Sequence, residues 1–260
     1  MKHDQNMQTQ IENNIATVIL AAGKGTRLNC TDKPKVMLEI GNKPVVSYIV
    51  ETLSGIGFDK DQMVLVVGFE KGKVMDYFGD TVTYAEQTEQ LGTAHATCVG
   101  MEKLTGDVEH VLVMGGDDSA FYTEETLMHF VDSHTKSGAV LSLLTAEVEN
   151  PEGLGRIIRN DEGLFVQVLE KEQLSVEQKD IREISTGTFC FNKKWFETIF
   201  QNKKQNNDIG EKDLPKTVEM AVEAKEKIQA IKLENSNEWF GINTLDELQK
   251  ANELKNLSIL

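Results

Sequence analysis

The sequence predicts an α/β protein with a doubly wound, Rossmann-like and mostly parallel sheet, joined to a smaller, more antiparallel subregion. Up to residue 149, short apolar runs alternate with amphipathic helical stripes, which is the order of β-α-β units. After residues 150–153, short strand-like runs follow one another with few helices between them. The 260 residues, 40% hydrophobic and 27% charged, suit a globular protein with a sizeable core. We therefore predict one domain over residues 15–260, with halves at 15–149 and 150–260.

The first half should contain five strands alternating with four helices. Strands are predicted where β-branched and aliphatic residues form short buried runs, at residues 18–20, 63–67, 81–85, 110–114 and 139–145. Helices are predicted from their apolar spacing and flanking residues, at residues 45–56, 72–78, 93–104 and 123–136. Gly55 and Gly57 fit the end of the first helix, while Thr123, Glu124 and Glu125 fit the start of the last.

The second half should face the first and contain shorter strands. These are predicted at residues 156–159, 164–169, 186–192 and 228–233. Helices are predicted at residues 212–225 and 245–254, the second one capped by Thr244.

Composition and charge exclude several classes of function. The net charge of −15 argues against general binding to nucleic acid or to an anionic membrane. No stretch approaches the roughly 18 apolar residues of a membrane span. Residues 1–14 are polar, lack the apolar core of a secretory signal, and predict a disordered leader. Three widely spaced cysteines without metal-ligand spacing are typical of a reducing cytoplasm.

The stretch from residue 18 to residue 35 predicts an anion-binding site. A buried strand leads into Gly23 and Gly25, which allow backbone angles and close approaches that other residues block. Four cations follow within a dozen residues, namely Lys24, Arg27, Lys33 and Lys35. The Walker A spacing is absent, and Leu28 stands where a dinucleotide-binding loop needs its third glycine. We therefore expect this loop to hold a nucleotide in a third way.

Two acidic segments leave predicted strands, and the residues alone leave their roles open. Asp117 and Asp118 follow the strand at 110–114, where a carboxylate is well placed for a divalent cation. A turn or helix cap explains them equally well. Glu170 and Glu172 follow the strand at 164–169, and on pattern alone a solvated edge is the favoured reading. In a parallel sheet, the segments after residues 20, 85 and 114 should converge.

Several segments together resemble the sugar-1-phosphate nucleotidyltransferase family. The glycine-rich loop L-A-A-G-K-G-T-R-L, followed by K-P-K-V at residues 33–36, resembles the signature of that family. Residues 87–96 are similar to the uracil-contacting segment of bacterial UDP-N-acetylglucosamine pyrophosphorylases. The remaining matches, in order, are Gly116-Asp117, residues 153–157, Glu170-Lys171, residues 185–187 and residues 241–243. The likeness spans roughly residues 16 to 250 and is strongest to the uridylyltransferase domain of those pyrophosphorylases.

The resemblance implies an activity and a set of site residues. The activity is transfer of a uridylyl group from UTP to a hexose 1-phosphate, with N-acetylglucosamine 1-phosphate as the first choice and Mg²⁺ as cofactor. The implied catalytic residues are Arg27 and Lys35, which would contact phosphates. The implied nucleotide-binding residues are Leu20, Ala21, Ala22, Gly23, Lys24, Gly25, Gln87, Gly92 and Thr93. The implied sugar-binding residues are Gly155, Glu170 and Ser185, and the implied metal ligands are Asp117 and Asn243. Residues 15–149 would then bind the nucleotide, and residues 150–260 the sugar.

Some positions depart from the family pattern, and alternatives follow from them. Ser185 stands where those pyrophosphorylases usually have asparagine, Leu154 replaces a tyrosine, and residues 118–120 replace a small residue followed by Pro-Leu. Because a hydroxyl reaches less far than an amide, the sugar is the open part of the assignment. The alternatives are a thymidylyl or cytidylyl transferase, a UDP-glucose type enzyme, or a non-catalytic nucleotide-sugar binding protein.

The sequence carries no hexapeptide repeat of the kind that forms the acetyltransferase part of the bifunctional relatives. We therefore expect no acetyl transfer. Because that part supports trimer assembly in the relatives, the oligomeric state is left open, with a homo-oligomer as one alternative.

Overall fold

The computed structural model describes residues 14–25, 28, 30, 32–205 and 213–257, and confirms the predicted α/β fold class. Within these residues a nine-stranded sheet, seven of its strands in one continuous row, is covered by helices on both faces. The leader prediction concerns residues of which 1–13 lie outside the described part. No helix among the described residues is long and apolar enough to cross a membrane.

The strands follow the predicted positions closely. In chain order they are β1 (Ile15–Ala21), β2 (Glu39–Ile40), β3 (Lys43–Pro44), β4 (Met63–Val67), β5 (Thr83–Glu86), β6 (His110–Gly115), β7 (Leu141–Glu147), β8 (Arg156–Arg159), β9 (Phe165–Leu169), β10 (Glu183–Asn192) and β11 (Ile228–Lys232). β2 and β3 form a separate two-stranded sheet, which was not predicted from the sequence.

The order of the row is β11-β7-β10-β6-β1-β4-β5, with β8 pairing β10 and β9 at one side. β1 runs parallel to both neighbours, so Ile19 lies opposite Leu65 of β4 and Met114 of β6. β10 is antiparallel to β6 and β7 and lies between them. The mostly parallel sheet is therefore interrupted by one strand of opposite direction, which comes from the second half of the chain.

Helices cover both faces of this sheet. They are α1 (Val45–Gly55), α2 (Lys71–Phe78), α3 (Thr93–Met101), α4 (Glu124–Ser137), α5 (Lys193–Gln205), α6 (Pro215–Glu223) and α7 (Leu245–Leu257). Residues of β1 alternate between the two cores: Ile19 packs with residues of α1, α2 and α4, while Val18 packs with residues of α3, α5 and α6. This alternation is what buries a parallel strand on both faces.

One helix was missed. The sequence predicts few helices in the second half and none between β10 and the helix at 212–225, yet α5 follows β10 directly. Its side chains Phe196 and Phe200 lie one turn apart, with ring centroids 4.6 Å from each other. The predicted helix at 212–225 is found as α6, although residue 212 itself lies outside the described residues.

The last helix is fastened to the segment that follows β6. The ammonium of Lys255 lies 4.2 Å from the ring centroid of Tyr48 and 4.3 Å from that of Phe121, and donates to the Ala120 carbonyl at 2.7 Å. At the helix start, Glu247 N–H donates to Thr244 Oγ1 and the Glu247 carboxylate accepts from the N–H of Thr244, so the predicted cap is present. α7 therefore joins residue 243 to the end of β6.

Candidate active site

The glycine-rich turn after β1 brings backbone against the side chain of Lys35. Gly25 has φ +66°, and a Cβ there would lie 2.8 Å from the Lys35 Cβ. Any other residue would therefore be strained in its backbone and would collide with Lys35. Gly23 and Lys24 are exposed, whereas Ala21 and Ala22 are buried.

Lys35, Asp117 and Asn243 meet beside this turn, although they are far apart in the chain. The Lys35 ammonium forms an ion pair with the Asp117 carboxylate and donates to Asn243 Oδ1 at 2.9 Å. Together with Leu20, Gly23 and Gly25 they line a cavity of about 310 Å³. The expected phosphate-binding lysine is thus in direct contact with both expected metal ligands.

Asp118 lies next to this cluster and, in the described part of the chain, lacks a hydrogen-bond partner for one of its carboxylate oxygens. Its Oδ1 atom is buried and has no hydrogen-bond partner among the described residues. Burial first, and the neighbouring Asp117 charge second, raise the pKa of the Asp118 carboxyl well above its ordinary value, while Lys35 lowers it. The same strand end therefore holds two carboxylates in unequal environments.

A second, larger cavity of about 510 Å³ adjoins the first, and Leu20, Gly23 and Asp117 line both. Three expected nucleotide-binding residues, Gln87, Gly92 and Thr93, line the larger one, as does Ala22. Gln87 Nε2 donates to the Gly92 carbonyl at 3.1 Å and lies 3.0 Å from His95 Nδ1, so the amide is fixed in orientation.

Gln90 and Asp213 also line this cavity, although neither was among the predicted site residues. Gln90 Nε2 donates to the Ala22 carbonyl at 2.9 Å and so connects the two nucleotide-side segments. Asp213 accepts from the N–H and the hydroxyl of Thr93, both at 3.3 Å. Gln90 lies inside the segment that carried the resemblance, whereas no local pattern connects Asp213 to Thr93.

The three expected sugar-binding residues form a group of their own. The Ser185 N–H donates to the Gly155 carbonyl at 3.4 Å, and Glu170 Oε1 lies 3.4 Å from where a Gly155 Cβ would be. Burial first, then the charges of Glu172, Glu219 and Asp213, raise the pKa of Glu170. These three residues are not among the described residues that line the two cavities. Arg27, the other expected catalytic residue, lies outside the described residues.

The donor atoms at the end of β6 fit a hard divalent cation. Asp117 and Asn243 offer carboxylate and amide oxygens, the ligand type that Mg²⁺ prefers in proteins. The buried Asp118 Oδ1 adds an oxygen whose lone pairs are unused in the described structure. No group of three or more histidine, cysteine, aspartate or glutamate side chains in the described part suits a metal, so a site here needs the Asn243 amide.

The sequence is similar to a family of nucleotidyl transferases and to several curated bacterial proteins. The profile of the nucleotidyl transferase family matches residues 16–256. The chain is 37% identical to the bifunctional protein GlmU of Halalkalibacterium halodurans, over 91% of this chain and 51% of that protein. It is 35% identical to the GlmU of Acetivibrio thermocellus, over 95% of this chain and 52% of that protein. The chain thus spans about half the length of these curated relatives.

A solved structure with the same fold is that of a Bacillus anthracis protein assigned as a glucose-1-phosphate thymidylyltransferase, crystallised with sucrose. The superposition has a TM-score of 0.74 and covers 92% of this chain and 94% of that one, at 21% sequence identity. At this identity the likeness concerns the fold alone.

Proposed function

The chain belongs to the nucleotidyl transferase family, and on that premise we propose that it transfers a uridylyl group from UTP to a hexose 1-phosphate. N-acetylglucosamine 1-phosphate is the proposed acceptor, and the products are the UDP-sugar and pyrophosphate. The observation that carries the proposal is the contact of Lys35 with Asp117 and Asn243 beside the glycine-rich turn. It gathers an ammonium and two oxygen ligands where phosphates would meet backbone N–H groups.

The reaction needs charge compensation more than proton transfer. A sugar phosphate is ionised at neutral pH, so one of its oxygens can attack the α-phosphorus of the nucleotide without a general base. The new bond joins that oxygen to the α-phosphorus, and the bond from the α-phosphorus to the bridging oxygen breaks as pyrophosphate leaves. The obstacle is repulsion between two polyanions, which positioned cations and aligned binding reduce.

Each part of the site has a proposed role in this scheme. Backbone groups of residues 20–25 would hold the nucleotide phosphates, and Lys35 and Arg27 would neutralise charge on the reacting phosphates. Enzymes of this family typically use a divalent metal, and we propose Mg²⁺ held by Asp117 and Asn243. The metal would supply charge stabilisation to the phosphates.

The base and the sugar would bind to separate groups of residues. Gln87, Gly92 and Thr93 would contact the pyrimidine, a role supported by their shared lining of the larger cavity. Gly155, Glu170 and Ser185 would hold the sugar, so that residues 15–149 bind the nucleotide and residues 150–260 the sugar. The proximity of the Ser185 backbone and the Glu170 carboxylate to Gly155 supports that division.

The test is pyrophosphate release from UTP, dTTP and CTP against a panel of hexose 1-phosphates, with and without Mg²⁺. We expect release with UTP and N-acetylglucosamine 1-phosphate, dependent on Mg²⁺. Loss of release in Asp117→Asn, with retention in Asp107→Asn at the other end of β6, would tie the activity to the site. Preference for dTTP or CTP would make the protein a different nucleotidyltransferase. Binding of UDP-sugar without any release would leave only a binding function.

A further inference from the structure

Asp118 presents a buried carboxylate oxygen for which the described structure offers no partner. Its Oδ1 atom has no hydrogen bond, and no ion pair among the described residues involves Asp118. Burying a polar atom without a hydrogen-bond partner costs roughly 1 to 3 kcal/mol of folding free energy. Such atoms are therefore uncommon in native proteins. Because Asp118 also lines the larger cavity, this oxygen is a position that a ligand can reach.

Two glycines make room for Asp118 and bring it close to Asp117. A Cβ added at Gly115 would lie 2.7 Å from Asp118 Oδ1 and 3.1 Å from Asp117 Oδ1, so both oxygens lie over the same point of β6. A Cβ at Gly187 would lie 3.5 Å from Asp118 Oδ2. Gly187 has φ +80° and lies where the pairing register of β10 shifts between Ser185 and Phe189. The irregular stretch of β10 thus faces the carboxylate.

The charges at this point are not balanced by the protein alone. Lys35 is the described cation paired at the end of β6, and it contacts Asp117 and Asn243. Asp118 therefore lies beside an ion pair that already uses this ammonium, and it has no ion pair of its own among the described residues. A divalent cation carries the charge that matches both carboxylates, and its binding would leave Lys35 available to a phosphate.

We propose that Asp118 is a third protein ligand of the divalent cation, beside Asp117 and Asn243. This inference rests on the metal site of the proposed function and goes beyond it, because it adds a second carboxylate. Mg²⁺ sites commonly use one or two carboxylates with substrate phosphates completing the shell. A site with two carboxylates and an amide binds the cation before any nucleotide arrives.

The experiment is a titration of the full chain with Mn²⁺, without nucleotide, followed by the electron paramagnetic resonance signal of free Mn²⁺. Asp118→Asn keeps the shape of the side chain and removes its charge, and Asp118→Ala is a second variant should the first misfold. Asp107→Asn removes the same charge at the opposite end of β6, where the side chain is exposed. Asp117→Asn tests the site itself.

We expect both Asp118 variants to weaken Mn²⁺ binding by roughly tenfold or more, with little change in Asp107→Asn. Unchanged Mn²⁺ binding in the Asp118 variants, with loss in Asp117→Asn, would overturn the proposal. So would weaker binding of the sugar phosphate with unaltered Mn²⁺ binding, since Asp118 would then serve a substrate hydroxyl group. Absence of Mn²⁺ binding by the unmodified chain overturns it as well. If the unmodified chain bound Mn²⁺ through Asp118 but released no pyrophosphate, the proposed function would be wrong and the assignment of Asp118 as a ligand would hold.

Discussion

Two groups of charged side chains lie along β10, and they differ in how many of their hydrogen bonds and ion pairs the protein itself supplies. At the start of the strand, the Glu183 carboxylate receives Arg159 Nε at 2.8 Å and Nη2 at 2.6 Å, and the Thr145 hydroxyl at 2.6 Å. Burial opposes ionisation, but the bonds from Arg159 and Thr145 keep the pKa of Glu183 below its ordinary value. Near the irregular stretch at Gly187, Asp118 keeps a buried oxygen that has no hydrogen-bond partner in the described part of the chain.

The difference indicates that the charges around Glu183 stabilise the fold, whereas those around Asp118 can bind a ligand. A closed network stabilises the strand and leaves nothing for a ligand to bind. An open one leaves free energy to be gained when a ligand arrives. We therefore expect changes around Glu183 to alter stability and changes around Asp117 to alter activity, and the following predictions test that division.

The largest expected effect is on catalysis, from Lys35→Ala. Loss of the ammonium that we place at the reacting phosphates should lower kcat by about 10²–10³-fold, near 3 to 4 kcal/mol. The free energy of unfolding should change by less than about 2 kcal/mol, because Asp117, 26% exposed, lines a cavity in which water can hydrate the carboxylate left unpaired. Steady-state kinetics and urea unfolding measure the two effects, with Lys60→Ala, a half-exposed lysine that precedes β4, as the control. If Lys35→Ala lost much of its stability but kept a normal kcat, Lys35 would have a structural role and not a catalytic one.

The next effect is on stability, from Arg159→Met. It leaves the mostly buried Glu183 carboxylate without its main partner and should cost about 3 to 4 kcal/mol of unfolding free energy. The activity of the remaining folded protein should be close to normal. Urea unfolding and active-site titration measure these quantities. A variant that is stable but inactive would show that the closed network also serves the site.

A third prediction concerns pH and a closed network at the amino end of β6. His134 is fully buried, with Nδ1 2.7 Å from Ser142 Oγ and Nε2 3.1 Å from His110 Nδ1. Burial first, and His110 second, lower the pKa of His134 from 6.5 to about 4. Between these values the unfolded chain binds the proton and the folded protein does not. His134 therefore costs stability progressively as the pH falls from 6.5 to 4, by up to about 3 kcal/mol.

The measurement is the free energy of unfolding against pH. His134→Gln should be less stable at pH 7 and should lose most of this slope, while His129→Gln, an exposed histidine on the same helix, should keep it. An equal slope in the unmodified chain and in His134→Gln would assign the dependence to other groups.

The smallest expected effect is at the lysine that fastens α7. Lys255→Met removes contacts of the ammonium with two rings and the hydrogen bond to Ala120, and should cost about 1 to 2 kcal/mol. Hydrogen exchange should show the loss mainly in α7. Lys250→Met is the matched control, since its ammonium lies 5.9 Å from the centre of one ring. Equal effects of the two substitutions would argue against a special role for Lys255.

Much of the fold could be predicted because its signals are local. Each predicted strand has a counterpart, since runs such as Met63–Val67 are apolar, β-branched and bounded by polar residues. The convergence of residues after β1, β5 and β6 follows from the parallel order, because the carboxyl ends of parallel strands lie at one edge. The contact of Lys35 with Asn243 agrees with the resemblance, which assigned phosphate and metal roles to these two residues.

The remainder depends on contacts that no local pattern encodes. The position of β10 between β6 and β7 is a matter of pairing between distant segments, and Thr93 meets Asp213 across 120 positions of the chain. The unpaired state of Asp118 could not be read from its sequence neighbours either, because it depends on space beside Gly187. Residue type identified the acidic segment, and only the fold showed which oxygen lacks a partner.

The antiparallel strand at the middle of the sheet has a consequence for synthesis. β6 and β7 are made one after the other, yet neither pairs with the other, because β10 fills the gap between them. As the chain leaves the ribosome, the backbone groups of β6 and β7 that pair with β10 stay unpaired until tens of further residues have been translated. The wall that β10 contributes to the larger cavity is thus completed only after β10 has been made, so ligand binding there should appear late in folding.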